Sequence, residues 1–579
     1  MTMRGDGNAA VYSAAGDSAK ALLSELVLEK KPIFAMPAWF ITTEAAQVGF
    51  MLSEALREMS GGSFSDLYRT FFANSYNEAI HGALKLVRHH AVSSFAEHGG
   101  RILVLDSEDR LRSSFDPCDE GPADALIPGV EFVATAESLQ RRLDSGVYCG
   151  VLLAGAGAVD AERTDVSSYL GALAGALPAL ERHRRRGGLV VLDLSDVDVS
   201  VRAAGPDRLI QAIRPDLFVF DERLTDYEVP FAAFSGSTAA FAAWTQPGSA
   251  FLHTNTYGGN TLAMRKVAAR LRKRWTKSDE HSARVRQVVQ RTGTEWDLAL
   301  ELYARHVNPA TAALHRSLHG LLHVVRAEGS RLRVELDSGR QLEVIDGVCG
   351  GGLGVNGHNP DDVITEVLAR HDNSVDYVGR LEAVLAGETG LARCFPGVSG
   401  AGAVDAALTL AVLSHKQPND SAADARKRIV VFRHNYAGKT LISLTATAAQ
   451  STRAPFAPLY QHVRYVDPFA PDAAARLQDE LSSGQVALVW FELVHGSSSS
   501  FAAIPDELLA ILAVERERRG FLIGVDEILT SYYRCGRRFA FKGRLPVVDI
   551  VTVSKALSYM CFPMAATLVS EEVYQRARA

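Results

Sequence analysis

The chain has little that would tie it to an oxidising compartment, a membrane or a nucleic acid. Only six cysteines occur in 579 residues (Cys118, Cys149, Cys349, Cys394, Cys535, Cys561), and none stand in C-x-x-C spacing. That scatter argues against a disulfide framework or a thiolate metal site and suits a reducing compartment. No apolar run approaches the length of a membrane span, and the opening MTMRGDGNAAVYSAAGDSAK is small and polar, without an apolar signal core. A cytoplasmic location without a membrane partner is the expectation. Basic charge is not in excess either: the formal net charge of −6 makes no case for nucleic-acid binding.

What is there is length, and with it repetition. A chain of 579 residues is too long for one hydrophobic core, so two or more domains are expected. Residues 71–86, FFANSYNEAIHGALKL, align with PGVSGAGAVDAALTL, residues 396–410, at an offset of 324. Ser75 then falls on Ser399, Ala79 on Ala403 and Ala83 on Ala407. LVVLDLSD (189–196) aligns with LIGVDEIL (522–529) at an offset of 333, which places Asp193 on Asp526, Asp216 on Asp549 and Pro230 on Pro563. Two alignments at nearly one offset imply two related copies in tandem.

Each copy alternates short apolar runs with helical patterns. RILVLD, GVLLAG, GLVVLDL and LFVFD serve the first; RIVVF, VALVWFELV, FLIGVDEI and DIVTVS serve the second, with AAARLQDELSS and PDELLAILAVERERR as helices between. Strands buried on both faces and separated by helices mean an α/β fold with a mostly parallel sheet sandwiched by helices. Residues 276–325 read as polar helices, and RVELDSGRQLEVIDG (333–347) as a hairpin turning on Asp337-Ser338-Gly339. The boundary is placed near residue 300, giving domains 1–300 and 301–579.

Four features follow in order in the second copy. Ser399-Gly400-Ala401 opens a helix, where free N–H groups and the helix dipole favour a phosphate. Tyr436 precedes Gly438 in HNYAGKT, an aromatic beside a tight turn. Asp526 ends one apolar strand, and Lys555 stands just past the next, 29 residues on. Ligands of open parallel sheets bind at the carboxyl ends of strands, where both would project. A desolvated lysine, a carboxylate, an aromatic face and a phosphate cradle are what pyridoxal 5'-phosphate chemistry requires.

The second copy resembles the class III aminotransferases of the fold-type I pyridoxal-phosphate enzymes, over about residues 303 to 579. The resemblance implies that Lys555 is the Schiff-base lysine and general base, and that Asp526 partners the pyridine nitrogen. It implies further that Ser399, Gly400 and Ala401 bind phosphate, that Tyr436 stacks on the ring, and that Glu492 in WFELVHG lies near the active site. A small amine or amino acid and a keto or aldehyde acceptor would be the substrates. Three positions depart from the family pattern: Leu529 stands for a glutamine, Gly402 for an acidic residue and Ala437 for a histidine. The first copy resembles the same family but looks spent, because Glu222 stands at the position of Lys555 and Tyr76 at that of Gly400. It keeps FLHTNTYGGNTLA (251–263), whose Thr256 would, by resemblance, touch the phosphate of a partner subunit. An internal pseudo-dimer follows as an expectation, with a homo-oligomer as the other arrangement. The second copy stops before its own version of that stretch, so a missing C-terminal region or a partner chain is also expected.

Plainer readings stand beside these. A lone lysine after a strand is ordinarily solvated, Tyr436 reads equally as core packing, and Glu492 as a strand-end carboxylate. GLGVNG (352–357) with Asp372 has the spacing of a dinucleotide motif, but the family's own glycine-rich turn accounts for it. ERHRRRGG (181–188) reads as the basic end of a helix, and RHH (88–90) as a polar helix end rather than a metal site. Epimerisation, decarboxylation or aminomutase chemistry would use the same Lys555 and Asp526. A non-catalytic pseudoenzyme partner would use neither.

Overall fold

The apolar runs become the strands of two seven-stranded sheets in the computed structural model, which describes residues 9–33, 40–62, 67–94, 99–155, 166–195, 197–245, 248–352, 354–372, 374–416, 426–496, 501–559 and 562–578. The first eight residues of the polar opening, Leu353 of the glycine-rich stretch and Cys561 lie outside the described residues. The chain folds as two compact units. The first comprises Met1–Arg112, Val130–Gly351 and Asn356–His371; the second comprises Ser113–Gly129, Gly352–Val355 and Asp372–Ala579. Each unit therefore draws on more than one stretch of sequence.

The first unit carries β1 (Tyr68–Ala73), β2 (Ile102–Leu105), β3 (Val130–Val133), β4 (Gly150–Leu153), β5 (Leu189–Asp193), β6 (Leu217–Phe220) and β7 (Ala232–Ser237). Their order across the sheet is β1-β7-β6-β5-β4-β2-β3. Strands β3, β2, β4, β5 and β6 run parallel, whereas β7 is antiparallel to both β6 and β1. Also in this unit, β8 (Val324–Glu328), β9 (Arg331–Glu335) and β10 (Gln341–Ile345) form a small antiparallel sheet. The β9–β10 hairpin turns where expected, with Gly339 at φ 76°. Val324 and Val325, read as the end of polar helices, instead begin β8. Half-buried β-branched residues beside a ready partner edge outweigh the helical pattern before them. Arg88 of the RHH stretch also departs from expectation: it is fully buried inside the helix Tyr76–Ser94, and its Nε donates to the carbonyl of Gly100.

The second unit contains β11 (Arg393–Gly397), β12 (Arg428–Phe432), β13 (Val463–Val466), β14 (Val486–Glu492), β15 (Leu522–Asp526), β16 (Ile550–Val553) and β17 (Ala565–Val569), in the order β11-β17-β16-β15-β14-β12-β13. That is the order of the first sheet, strand for strand. Every residue of β14, β15 and β16 is buried, which is why these strands read as continuous apolar runs. Leu477 and Leu481 of the helix Ala473–Ser482, with Leu508 and Leu512 of the helix Asp506–Arg519, pack into one core with Val489, Ile523 and Val551. Each such leucine contributes roughly 1.5–3 kcal/mol by leaving water.

One polar contact recurs in both sheets. The Ile523 amide donates to Asp549 Oδ2 at 2.8 Å, and the Val190 amide donates to Asp216 Oδ2 at the same distance. In the second unit Arg516 adds two bonds to the Asp549 carboxylate, at 3.0 and 2.5 Å. The carboxylate fixes the start of β16 against β15 and thereby sets where Lys555 emerges. Asp549→Ala leaves a buried amide and a guanidinium without their acceptor, and is expected to cost about 3 kcal/mol. Urea denaturation of the parent and variant measures it.

Candidate functional site

The site lies where three parallel strands end together. Glu492 closes β14 in register with Asp526 of β15, and Asp526 is in register with Thr552 of β16. Two residues past β16 the chain turns sharply into the 3-10 segment Lys555–Ser558. Lys555 itself adopts φ 46°, a left-handed conformation that a lysine takes only when its surroundings hold it there. The hydroxyl of Ser554 ties this turn down by donating to the Met564 carbonyl at 2.8 Å.

Burial governs the charges. Desolvation pushes the Lys555 ammonium below the ordinary lysine range, while the charges of Asp526 and Glu492 pull it back. Asp526 is held well above the usual carboxylate range by its burial and by the nearby charge of Glu492. Burial raises Glu492 to about 7. Its two oxygens accept the amides of Tyr436, at 2.8 Å, and Gly496, at 3.1 Å. Asp526 Oδ1 accepts the amide of Ile528 at 2.9 Å, and among the described residues no side chain donates to its Oδ2.

Tyr436 reaches this group from the loop after β12. Its hydroxyl is pushed up to about 12 by burial, then by the charges of Glu492 and Asp526. The loop is positioned by Asn435, which sequence reasoning passed over: its Nδ2 donates to the Ala446 carbonyl and its Oδ1 accepts the Glu492 amide. The signal was only its adjacency to Tyr436. At Gly438 the backbone has φ 131°, and a methyl there would lie 2.6 Å from Ser443 Oγ and 2.9 Å from Ala401 Cβ. Only glycine lets the Tyr436 loop approach the Ser399-Gly400-Ala401 turn so closely. Ser399 caps the helix Gly400–Ser414, its Oγ accepting the Gly402 amide at 3.1 Å. The cap directs the first-turn amides of Gly400 and Ala401 outward, as an anion requires.

Leu529 brings an apolar wall to the same place. A methyl on Gly496 would fall 1.9 Å from Leu529 Cδ2, and one on Gly352 would lie 3.1 Å from Leu529 Cδ1 and 3.9 Å from Lys555 Cδ. GLGVNG thus contributes Gly352 to the surroundings of Lys555. Arg534, unremarked in the sequence, donates to the Gly352 carbonyl at 3.1 Å and its charge opposes protonation of Lys555. Lys555, Asp526, Glu492 and Tyr436 therefore converge, with Ser399, Gly400 and Ala401 beside them through Gly438. Thr256 belongs to the first unit, part-buried in the loop before the helix Thr261–Leu271.

Comparison with known proteins finds similarity over the C-terminal part of the chain. Residues 314–579 match the family model for class-III aminotransferases. Acetylornithine aminotransferase of Xanthomonas axonopodis pv. citri is 32% identical over 263 residues, covering 44% of this chain and 62% of its own length. The Archaeoglobus fulgidus protein of the same name is 29% identical over 258 residues, covering 44% of this chain and 64% of its own length. The chain thus spans less than two thirds of these relatives. A solved ornithine aminotransferase from Toxoplasma gondii is 22% identical with a TM-score of 0.38, over 46% of this chain and 64% of that one. The matched segment has the mixed, mostly parallel α/β fold of the fold-type I pyridoxal-phosphate transferases. Among the described residues no helix is long and apolar enough to cross a membrane.

Glu492 makes stability depend on pH. Its folded value of about 7 lies above the ordinary 4.5, so the folded state binds the proton more tightly than the unfolded one. That contribution is complete below the ordinary value and is lost as pH rises through about 7. Glu492→Gln is expected to remove this part of the decline. Denaturation midpoints between pH 5 and 8 test it, and parallel profiles would refute it.

Proposed function

We propose that the chain is a pyridoxal-phosphate-dependent aminotransferase of the class-III type, moving an amino group between a small amine or amino acid and a keto or aldehyde acceptor. The observation that carries this reading is Lys555, a part-buried amine held in left-handed backbone between the charges of Asp526 and Glu492. The residues fit the cofactor chemically. Asp526 offers a buried carboxylate oxygen, Oδ2, to a ring N–H, and Gly400 and Ala401 offer helix-head amides to a phosphate. When bound, pyridoxal phosphate supplies an electron sink for the bonds around the substrate's amine carbon.

The chain's own residues do the rest. Burial lowers the proton affinity of the Lys555 amine, so Nζ would both hold the cofactor and carry a proton to and from the substrate carbon. Asp526 would hold the ring nitrogen's proton in a charge-assisted bond. Tyr436 covers one ring face, and Glu492 fixes the Tyr436 loop through that residue's amide. Leu529 puts apolar atoms beside Gly352 and Gly496 where the family carries a polar side chain.

The reading includes a second part. The shared strand order, the paired Asp216 and Asp549 contacts and the repeat offsets support two related copies. In the first, residues 1–300, Glu222 opens the 3-10 segment that Lys555 opens in the second, and a carboxylate forms no imine. The second, residues 301–579, would hold the cofactor. The resemblance assigns Thr256 of the first copy to the phosphate, which makes the chain an internal pseudo-dimer.

Absorption spectra after incubation with pyridoxal phosphate test the reading. The parent is expected to develop a yellow, borohydride-reducible band that Lys555→Ala lacks. No band in either protein would overturn the assignment. Transfer is distinguished from epimerisation or decarboxylation by appearance of a keto product only when an amine donor is present. Thr256→Ala is expected to retain the band but lose cofactor several-fold faster on dialysis; equal retention would remove Thr256 from the site.

A further inference from the structure

The first unit has the same frame around Asp193, and it is filled. Asp193 ends β5 as Asp526 ends β15, and each holds Oδ1 against the amide two residues on: Ser195 at 2.8 Å, Ile528 at 2.9 Å. Their other oxygens differ. Asp193 Oδ2 accepts the Tyr76 hydroxyl at 2.7 Å and the Ser195 hydroxyl at 3.0 Å. Tyr76 is the first residue of the helix Tyr76–Ser94, the place that Gly400 takes at the head of Gly400–Ser414. Its ring therefore spans the distance from the helix head to the carboxylate at the strand end.

The head of that helix is also occupied. Glu222 Oε1 accepts the Tyr76 amide at 3.2 Å, so a carboxylate sits on the N–H that would otherwise face an anion. An aromatic ring bonded to a buried aspartate, and a negative group on a helix head, are the two contacts that an anionic hydroxyarene would make. Here one helix-head residue and one turn residue of the same unit make both.

We propose that the first unit keeps a ring-and-anion cleft and fills it with its own side chains, the Tyr76 phenol in place of a ligand ring and the Glu222 carboxylate in place of its anionic group. The inference rests on reading Asp526 as a ring partner, and it explains why Asp193 persists beside no lysine. A buried aspartate short of donors is costly, and Tyr76 adds its hydroxyl to the two bonds from Ser195. The site is latent: removing the ring leaves an aromatic-sized space with a hydroxyl acceptor at its base. Such spaces bind small arenes.

Tyr76→Gly in the full chain, alone and combined with Lys555→Ala, is titrated with phenol by calorimetry and thermal denaturation. The expected result is one phenol site per chain that the Tyr76 parents lack. At tenfold its dissociation constant, phenol is expected to raise the midpoint by about 2–4 °C. Toluene, which cannot donate to Asp193, should bind more weakly. A folded Tyr76→Gly protein with no phenol site overturns the proposal. If that variant does not fold, Tyr76→Phe decides: a midpoint lowered by about 4 °C supports the hydroxyl's role, and an unchanged midpoint overturns it. Neither titration requires cofactor at Lys555, so an absent yellow band leaves this test intact.

Discussion

An ammonium drawn partly out of water can pair with a carboxylate or give up its proton, and Lys555 is placed to do both. Burial lowers its proton affinity while Asp526 and Glu492 raise it. Most of the second unit serves this balance. The parallel strands β14, β15 and β16 bring the three groups to one edge, and the Asp549 carboxylate sets how far β16 runs before the chain turns. Left-handed backbone at Lys555 costs free energy, and the Ser554 bond to Met564 with the buried core beneath offsets it.

The two sheets show one frame carrying opposite outcomes. In both, an aspartate ends the fifth strand and a 3-10 turn follows the sixth. With glycine at the helix head and lysine at the turn, no ring among the described residues reaches from the helix head to the aspartate, whose Oδ1 accepts the Ile528 amide. With tyrosine and glutamate there, the protein completes its own hydrogen bonds. The strand order that brings these positions together is shared, but the turn is not: Lys555 takes left-handed backbone and Glu222 does not.

Much of this was legible beforehand, for a definite reason. Strands buried on both faces must be apolar throughout, so β5, β12, β14, β15 and β16 stood out in the chain. The edge strands β11 and β13, their neighbour β17 and the first-unit β7 did not. β11 and β13 are only partly buried, and β17 and β7 are buried but rich in alanine, serine or glycine, so packing rather than composition makes them strands. The strand β8 was hidden behind a helical pattern for the same reason. Arg88 misled because its own type suggests solvent, whereas the carbonyl of Gly100 gives its guanidinium a buried partner.

The order and spacing of Ser399-Gly400-Ala401, Tyr436, Asp526 and Lys555 are properties of the sequence alone, and so is the exchange of Lys555 for Glu222 and of Gly400 for Tyr76. These are statements of identity along a line, and identity is what a repeat preserves. Only the tertiary structure decided that Asn435 and Gly438 hold the Tyr436 loop, that Leu529 stands against Gly352 and Gly496, and that Tyr76 bonds to Asp193. It also decided that Ser113–Gly129 folds with the second unit although it lies between β2 and β3 of the first. Contacts between residues tens to hundreds of positions apart depend on burial and distance, and neither quantity exists until the strands are paired.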